Sequence, residues 1–159
     1  MIKRLNTARG FTLIELLVVI SIIAILIAFG TARYITAEKG ARDTARKSDL
    51  NQYRIALENY ASAYNSLYPG GILGDIDSLC GKVVTGGTFA SVYLSGGCLN
   101  DPRAGIGLQE DYNYRSDPTG SVYVLVADLE KSTDFFVVCS NGRSGVVASK
   151  PSGTTCPAF

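Results

Sequence analysis

The sequence predicts an α+β fold, one long N-terminal helix laid against a small antiparallel sheet, and three observations predict it. Residues 11–29 are apolar apart from Thr12, Glu15 and Ser21, and about twenty such residues cross a bilayer as a helix. Further on, Leu50, Tyr53, Leu57, Tyr60, Tyr64 and Leu67 recur at alternating steps of three and four, the period of a single apolar helix face. Beyond Tyr112 the pattern changes to short apolar runs separated by turn signals, as in a β-meander covered on one side by the helix.

Taken in order, residues 1–10 are polar and basic, with Lys3, Arg4 and Arg9 and no acid. That asymmetry keeps the leader cytoplasmic and puts everything after Gly30 outside. Residues 11–30 form the membrane-length segment and residues 31–67 its amphipathic continuation, so a helix from Phe11 to Leu67 would run roughly 85 Å at 1.5 Å per residue. Gly30 is the weakest point of this helix, about 1 kcal/mol worse than Ala there. Between Arg33 and Glu58 stand ten charged residues of mixed sign, expected to make a solvated face with local helical pairs; a basic patch for DNA is the alternative. The tyrosines of the apolar stripe are expected in the core. Tyr68-Pro69-Gly70-Gly71 stops the helix, because Pro cannot continue it and Gly favours the turn.

The remainder, 68–159, is the globular head. Residues 70–110 are Gly-rich and weakly periodic and read as a connecting loop with little regular structure. Strands follow at 112–114, 122–127, 135–139 and 145–148. The turns between them are 116–120, 130–134 and Asn141-Gly142, giving a meander of at least three strands.

Composition narrows the function. The chain has 159 residues, 47% hydrophobic and 18% charged, with a net charge of +1. The stretch from Asn59 to Phe159 carries 6 basic and 9 acidic side chains, and a field of that sign does not attract nucleic acid. There is no histidine, so Ser-His and Cys-His dyads and His-ligated zinc are excluded. No phosphate-cradling Gly loop occurs, and the serines have no base beside them. No catalytic site and no cofactor are expected. The four cysteines, Cys80, Cys98, Cys139 and Cys156, lack C-x-x-C spacing. Beyond a membrane segment they read as two disulfides in an oxidising compartment, with three possible connectivities.

The apolar segment has three readings: a plain anchor, a secretory signal cut after Ala28-Phe29-Gly30, or a segment processed at its front. Against the secretory signal, it is longer than the usual 7–15 residue core and has a carboxylate near its start, which in a bilayer costs about 2.5–3.5 kcal/mol on the insertion scale for Asp. The junction Gly10-Phe11, followed by Thr12-Leu13-Ile14-Glu15 behind a basic leader, closely resembles the processing motif of type IV pilins and pseudopilins. The stretch DYNYRSDPTGSVYVLVADLE also resembles, less specifically, the sheet region of pseudopilin-like heads.

The resemblance implies a structural subunit. A prepilin peptidase would cut between Gly10 and Phe11, Phe11 would be N-methylated, and the helix would stay in the bacterial cytoplasmic membrane until the assembly machinery packs it into an extracellular filament. Glu15 would pair with the Phe11 amine of a neighbouring copy, cancelling two charges that an apolar interior does not otherwise accommodate. The partners implied are other copies of the subunit, the membrane, the peptidase and the assembly machinery. The alternatives are a pseudopilin of a secretion machine and a minor subunit that captures a ligand or DNA. The family's proline about twenty residues after the cleavage site is missing, and Gly30 is the candidate for the same softening. Sequential pairing, Cys80–Cys98 and Cys139–Cys156, is the expected connectivity: it fastens the tail to the strand FFVVC, and a C-terminal disulfide loop recurs in type IV pilins. Secretion-type pseudopilins often hold calcium, for which Asp75 and Asp77, or Asp101, Asp111 and Asp117, offer oxygens. The EF-hand spacing is absent and acids at turns are usually turn formers, so no metal is expected and Asp101, Asp111 and Asp117 remain the candidates.

Overall fold

The computed structural model of the chain describes residues 10–107 and 109–159, the side chains of 29–32 excepted. The leader residues Lys3, Arg4 and Arg9 lie outside them, and so does the environment of Gly30. The described residues form two units, 10–38 and 39–159.

The first unit holds the start of helix α1 (Leu13–Ala63). Its described large apolar side chains are exposed, from Phe11 and Leu13 to Leu26 and Ile27. The second unit is the head. It contains the rest of α1, then β1 (Leu73–Asp75), α2 (Ile76–Cys80), β2 (Val83–Val84), β3 (Gly87–Thr88) and α3 (Phe89–Tyr93). Strands β4 (Asn113–Ser116), β5 (Tyr123–Asp128), β6 (Phe135–Cys139) and β7 (Ser144–Val147) complete it. The main sheet is antiparallel throughout, in the order β1-β4-β5-β6-β7, and β2 and β3 pair in a second, two-stranded sheet.

The α+β arrangement predicted from the sequence is the one observed, with the apolar stripe of α1 facing the sheet. Leu50, Tyr53, Leu57 and Tyr60 are buried with Tyr114, Tyr123, Leu125, Phe136 and Val138. Each buried tyrosine hydroxyl that reaches a partner does so at the margin of this core. Tyr53 donates to the Leu99 carbonyl at 2.7 Å and accepts from the Leu99 amide at 2.8 Å. Tyr112 donates to Asp49 at 2.7 Å, and Tyr114 to the Pro69 carbonyl at 3.0 Å. The rings are core, as expected, and their polar ends hold the loops.

Three expectations need correction. Residues 70–110 are not an irregular connector. They supply an edge strand paired with β4, two short helices and a small hairpin, and α3 opens with a capping box between Thr88 and Ser91. These elements are short enough that no periodicity builds up in the sequence. Second, α1 stops at Ala63 rather than near Leu67. Asn65 and Ser66 take positive φ angles of 54° and 62°, and the Ser66 amide bonds back to the Ala61 carbonyl at 2.8 Å, a Schellman-type ending with Asn in the usual glycine place. Leu67, last of the stripe, is therefore 44% exposed. Tyr68 to Gly71 instead dock on the turn after β4, through Tyr68 N to Gly120 O at 2.8 Å and Gly71 N to Asp117 O at 2.9 Å.

The third correction concerns the charges of α1. They do not all form a solvated face, because Asp43 and Arg46 are buried. Arg46 is fully enclosed. Its Nη1 donates to Asp43 at 2.8 Å, its Nε and Nη2 grip Asp101 in a fork, with Nη2 at 2.9 Å, and Nη2 also reaches Glu130. Glu130 further accepts from Arg42 at 2.7 and 2.8 Å and from Arg103 at 3.2 Å. Asp43 closes the arrangement by accepting the backbone amides of Glu130 and Lys131 at 2.8 and 3.0 Å. Three guanidinium groups thus face three carboxylates, tying α1 to the loop after Asn100 and to the β5–β6 turn. Periodicity could not reveal this, because the partners lie 55 and 84 residues away along the chain.

The opposite face of the sheet is also covered. Val124, Val126, Val137 and Cys139 form a second cluster with Val147 and Cys156, beneath the C-terminal tail. An unbroken apolar run such as 122–127 is what a strand buried on both faces requires.

The candidate assembly site

Among the described residues, the front of α1 and the cysteines carry the chemistry expected from the sequence. At the front, no described residue comes within 4 Å of the position a Cβ on Gly10 would take, and Phe11 is 84% exposed. Thr12 is the residue before the helix. Its backbone amide and hydroxyl donate to Glu15 Oε2 at 2.8 and 2.7 Å, while the Glu15 amide donates to Thr12 Oγ1 at 3.3 Å. This reciprocal pair is a capping box, satisfying two amides that a helix start otherwise leaves unbonded.

The carboxylate therefore has a partner within its own chain. The T-x-x-E spacing just before an apolar run was the signal for it, and reading Glu15 only as an intermembrane charge passes over it. All these bonds fall on Oε2. The geometry orients the carboxylate at the first turn of a helix whose next residues, through Ile27, are exposed and apolar.

Both disulfides join the expected pairs, Cys80–Cys98 and Cys139–Cys156. The first sits under Tyr53, whose hydroxyl lies 3.3 and 3.4 Å from the two sulfurs. The second holds the tail over the sheet, helped by Arg115, which donates to the Ser152 carbonyl at 3.0 Å.

The acidic candidates for a cation are not brought together. Asp101 is committed to Arg46, and also accepts from the Arg103 amide at 2.8 Å and Gln109 at 3.1 Å. Asp111 caps the Asp101 and Tyr112 amides at 2.8 and 2.7 Å. Asp117 organises its own turn, accepting from the Val122 amide at 3.0 Å and Ser121 at 3.1 Å, and with the Thr119 hydroxyl these bonds hold its carboxyl well below the usual range. Asp75 and Asp77 are exposed at the β1–α2 junction. Among the described residues, no group of three or more His, Cys, Asp or Glu is placed to hold a metal ion.

Comparison with known proteins places these features in a family. Residues 5–31 match the prokaryotic N-terminal methylation motif. The type IV wide pilus major component PilA4 of Thermus thermophilus is 32% identical over 99 residues, covering 58% of this chain and 76% of that protein. No solved structure matches the chain. With the motif at the capped, apolar start of α1 and a pilus component matched over three-quarters of its length, the chain belongs to the type IV pilin family.

Proposed function

We propose that this chain is a filament subunit, cut between Gly10 and Phe11 and N-methylated on Phe11, which polymerises through α1 with the head facing solvent. The observation that carries the reading is the exposed apolar half of α1 with Glu15 at its start, in a member of a family of pilus subunits. Before assembly the segment spans the cytoplasmic membrane once, leader inside and head outside. Processing changes the charge at its front: the Gly10-Phe11 peptide becomes an amine on Phe11. Glu15 Oε2 stays in the cap of its own helix, and Oε1 accepts the Phe11 ammonium of a neighbouring copy. Two buried charges then cancel, while the surrounding Leu, Val and Ile side chains supply the apolar area. The resemblance to a major pilus component favours the abundant subunit of a long fibre over a sparse ligand-capturing one.

The test uses the full chain in a cell with its assembly machinery. Mass spectrometry of the mature protein is expected to find residues 1–10 absent and one methyl on Phe11. Sheared fibres should consist of this chain, and Glu15→Leu should leave subunit in the membrane with few fibres. Cleavage after Gly30, or normal fibre yield from Glu15→Leu, refutes the reading.

A further inference from the structure

The three guanidinium groups of the buried cluster are matched by three carboxylates, but other basic side chains beside it are not. Between residues 40–47 of α1, the β5–β6 turn and β7 lies an open cavity of about 480 Å³. Gly40, Thr44, Lys47, Lys131, Ser132 and Val146 line it, and all of them belong to the 39–159 unit. Among the described residues the ion pairs use Arg42, Arg46, Arg103 and Lys150. Neither Lys47 nor Lys131 enters one.

Asp43 is the carboxylate of this cavity, and it is already committed. Its Oδ1 accepts from Arg46 and the Glu130 amide, and its Oδ2 from the Lys131 amide. With Arg46 cancelling Asp43, the cavity keeps two positive charges. Lys47 is also held in place: it is half-buried, and its ammonium lies 5.5 Å from the centre of the Phe136 ring, a cation–π contact. The exposed hydroxyl of Ser132 adds a donor, and Val146, 45% exposed, adds apolar surface. The adjoining cavity, which shares Leu129 and Ser132, holds Asp128, Glu130 and Asp134 beside Lys39 and Arg103. It has no such excess of one sign.

We propose that the cavity lined by Lys47 and Lys131 holds the phosphate group of an anionic phospholipid. Two ammonium groups and a hydroxyl match the charge and the acceptor oxygens of a phosphodiester. The apolar surface at Val146 suits the glycerol ester beside that group better than it suits a free, hydrated phosphate. The source is the membrane that anchors the chain. Ten residues separate Gly40 from Gly30, the end of the membrane-length segment. The cavity therefore stands no farther from it than about 35 Å of extended chain, whatever the angle between the two units. A headgroup surface within that reach is a standing high concentration of phosphate, and each basic side chain near it adds to the attraction. Bound lipid gives the unassembled head a second hold on the bilayer, which extraction of the subunit must break. The proposal rests on the membrane-anchored stage of the filament reading, but concerns a separate set of residues.

The experiment uses the oxidised full chain in detergent. Native mass spectrometry counts what it retains after addition of phosphatidylglycerol, phosphatidylcholine or inorganic phosphate at equal concentration. Phosphatidylglycerol is expected to be retained several-fold more often than phosphatidylcholine. Lys47→Gln and Lys131→Gln should each cut that retention about fivefold, the share of one basic side chain near an anionic surface. Lys82→Gln, at an exposed lysine between α2 and β2, should leave it unchanged. Gly40→Glu is a second kind of variant. An added Cβ there meets nothing within 4 Å, so it brings a carboxylate to the cavity while the fold is kept, and retention should fall to the phosphatidylcholine level. Equal retention of the two lipids, or an unchanged preference in all three cavity variants, overturns the proposal. Phosphate adducts that form without lipid and need both lysines assign the site to the free anion and overturn the lipid as its source. Flotation of the full chain with vesicles of either lipid tests the anchor by itself. A chain that floats with neither refutes the membrane stage, which separates the two failures.

Discussion

Replacing Arg46 by Met tests whether the ion cluster holds α1 on the sheet. Met preserves much of the volume and the helix propensity, so the change is chiefly electrostatic. It removes the charged partner from both carboxylate oxygens of Asp101, leaving only the Arg103 amide and Gln109 there, and one partner each of Asp43 and Glu130. Asp101 has no side-chain exposure and Glu130 only 6%, so water does not replace the lost bonds. Breaking a buried pair from one side costs about 3–5 kcal/mol. Glu130 keeps Arg42 and Arg103, so the loss concentrates on Asp101 and the figure sits in that range rather than at its multiple. At about 3–5 °C per kcal/mol for a domain of this size, the melting temperature should fall by roughly 10–20 °C. The assay is thermal unfolding of the oxidised chain in detergent, followed by near-UV dichroism of the tyrosines. Arg46→Lys should fall between, because an ammonium keeps the charge but cannot form the fork. A drop below about 1 kcal/mol for Arg46→Met, the level of an exposed ion pair, refutes the reasoning.

Two further outcomes follow from the same geometry. Gly120 has φ of 74° and a Cβ there would land on the Tyr68 carbonyl, so Gly120→Ala should cost more than the roughly 1 kcal/mol of the backbone conformation alone; urea unfolding checks it, and Gly96→Ala, in open space, is the tolerant comparison. Glu130 is pulled down to about 2 by its hydrogen bond from Arg42, and by Arg46 and Arg103 against the opposing effect of burial. A carboxyl whose folded value lies below its unfolded one stabilises fully above the unfolded value, near pH 4.5, and loses that contribution as pH falls toward 2. Acid unfolding should steepen in this window, and Glu130→Gln should flatten the pH dependence there while lowering stability at neutral pH.

What the sequence made legible follows the range of the forces involved. The front of α1 was readable because a membrane-length run and a motif of six residues are both local, and so was the stripe from Leu50 to Tyr60. The three later strands were readable because Pro118 and Gly120, the polar run 130–134, and Asn141-Gly142 punctuate them. The ion cluster was not, since Arg46 looks like any helix-surface arginine until Asp101 and Glu130 arrive from distant loops. The elements between 73 and 93 escaped for a different reason: a three-residue strand and five-residue helices are stabilised by burial of Ile76, Leu79 and Phe89, not by local preference. The Thr12–Glu15 cap is legible in the T-x-x-E spacing, beside the more conspicuous feature of a carboxylate in a membrane-length run.

The buried cluster also answers a question that the apolar core leaves open. The stripe of α1 nearly repeats after seven residues, Leu50 and Tyr53 becoming Leu57 and Tyr60. A helix slid by two turns would therefore present similar side chains to the sheet, and hydrophobic burial is non-directional. Polar contacts are not tolerant in this way. In the slid register no arginine would stand at Asp101, since position 39 is Lys and position 53 is Tyr, even though Tyr60 would replace Tyr53 beside Leu99. Buried polar groups left unpaired cost about 1–3 kcal/mol each, and more when charged. The cluster thus penalises the wrong register far more than it favours folding as such, in the manner of a polar residue that sets alignment in a coiled coil. A shift along the axis would also move Gln52 and Ile55 away from Tyr93 and Leu99, with which they line one cavity.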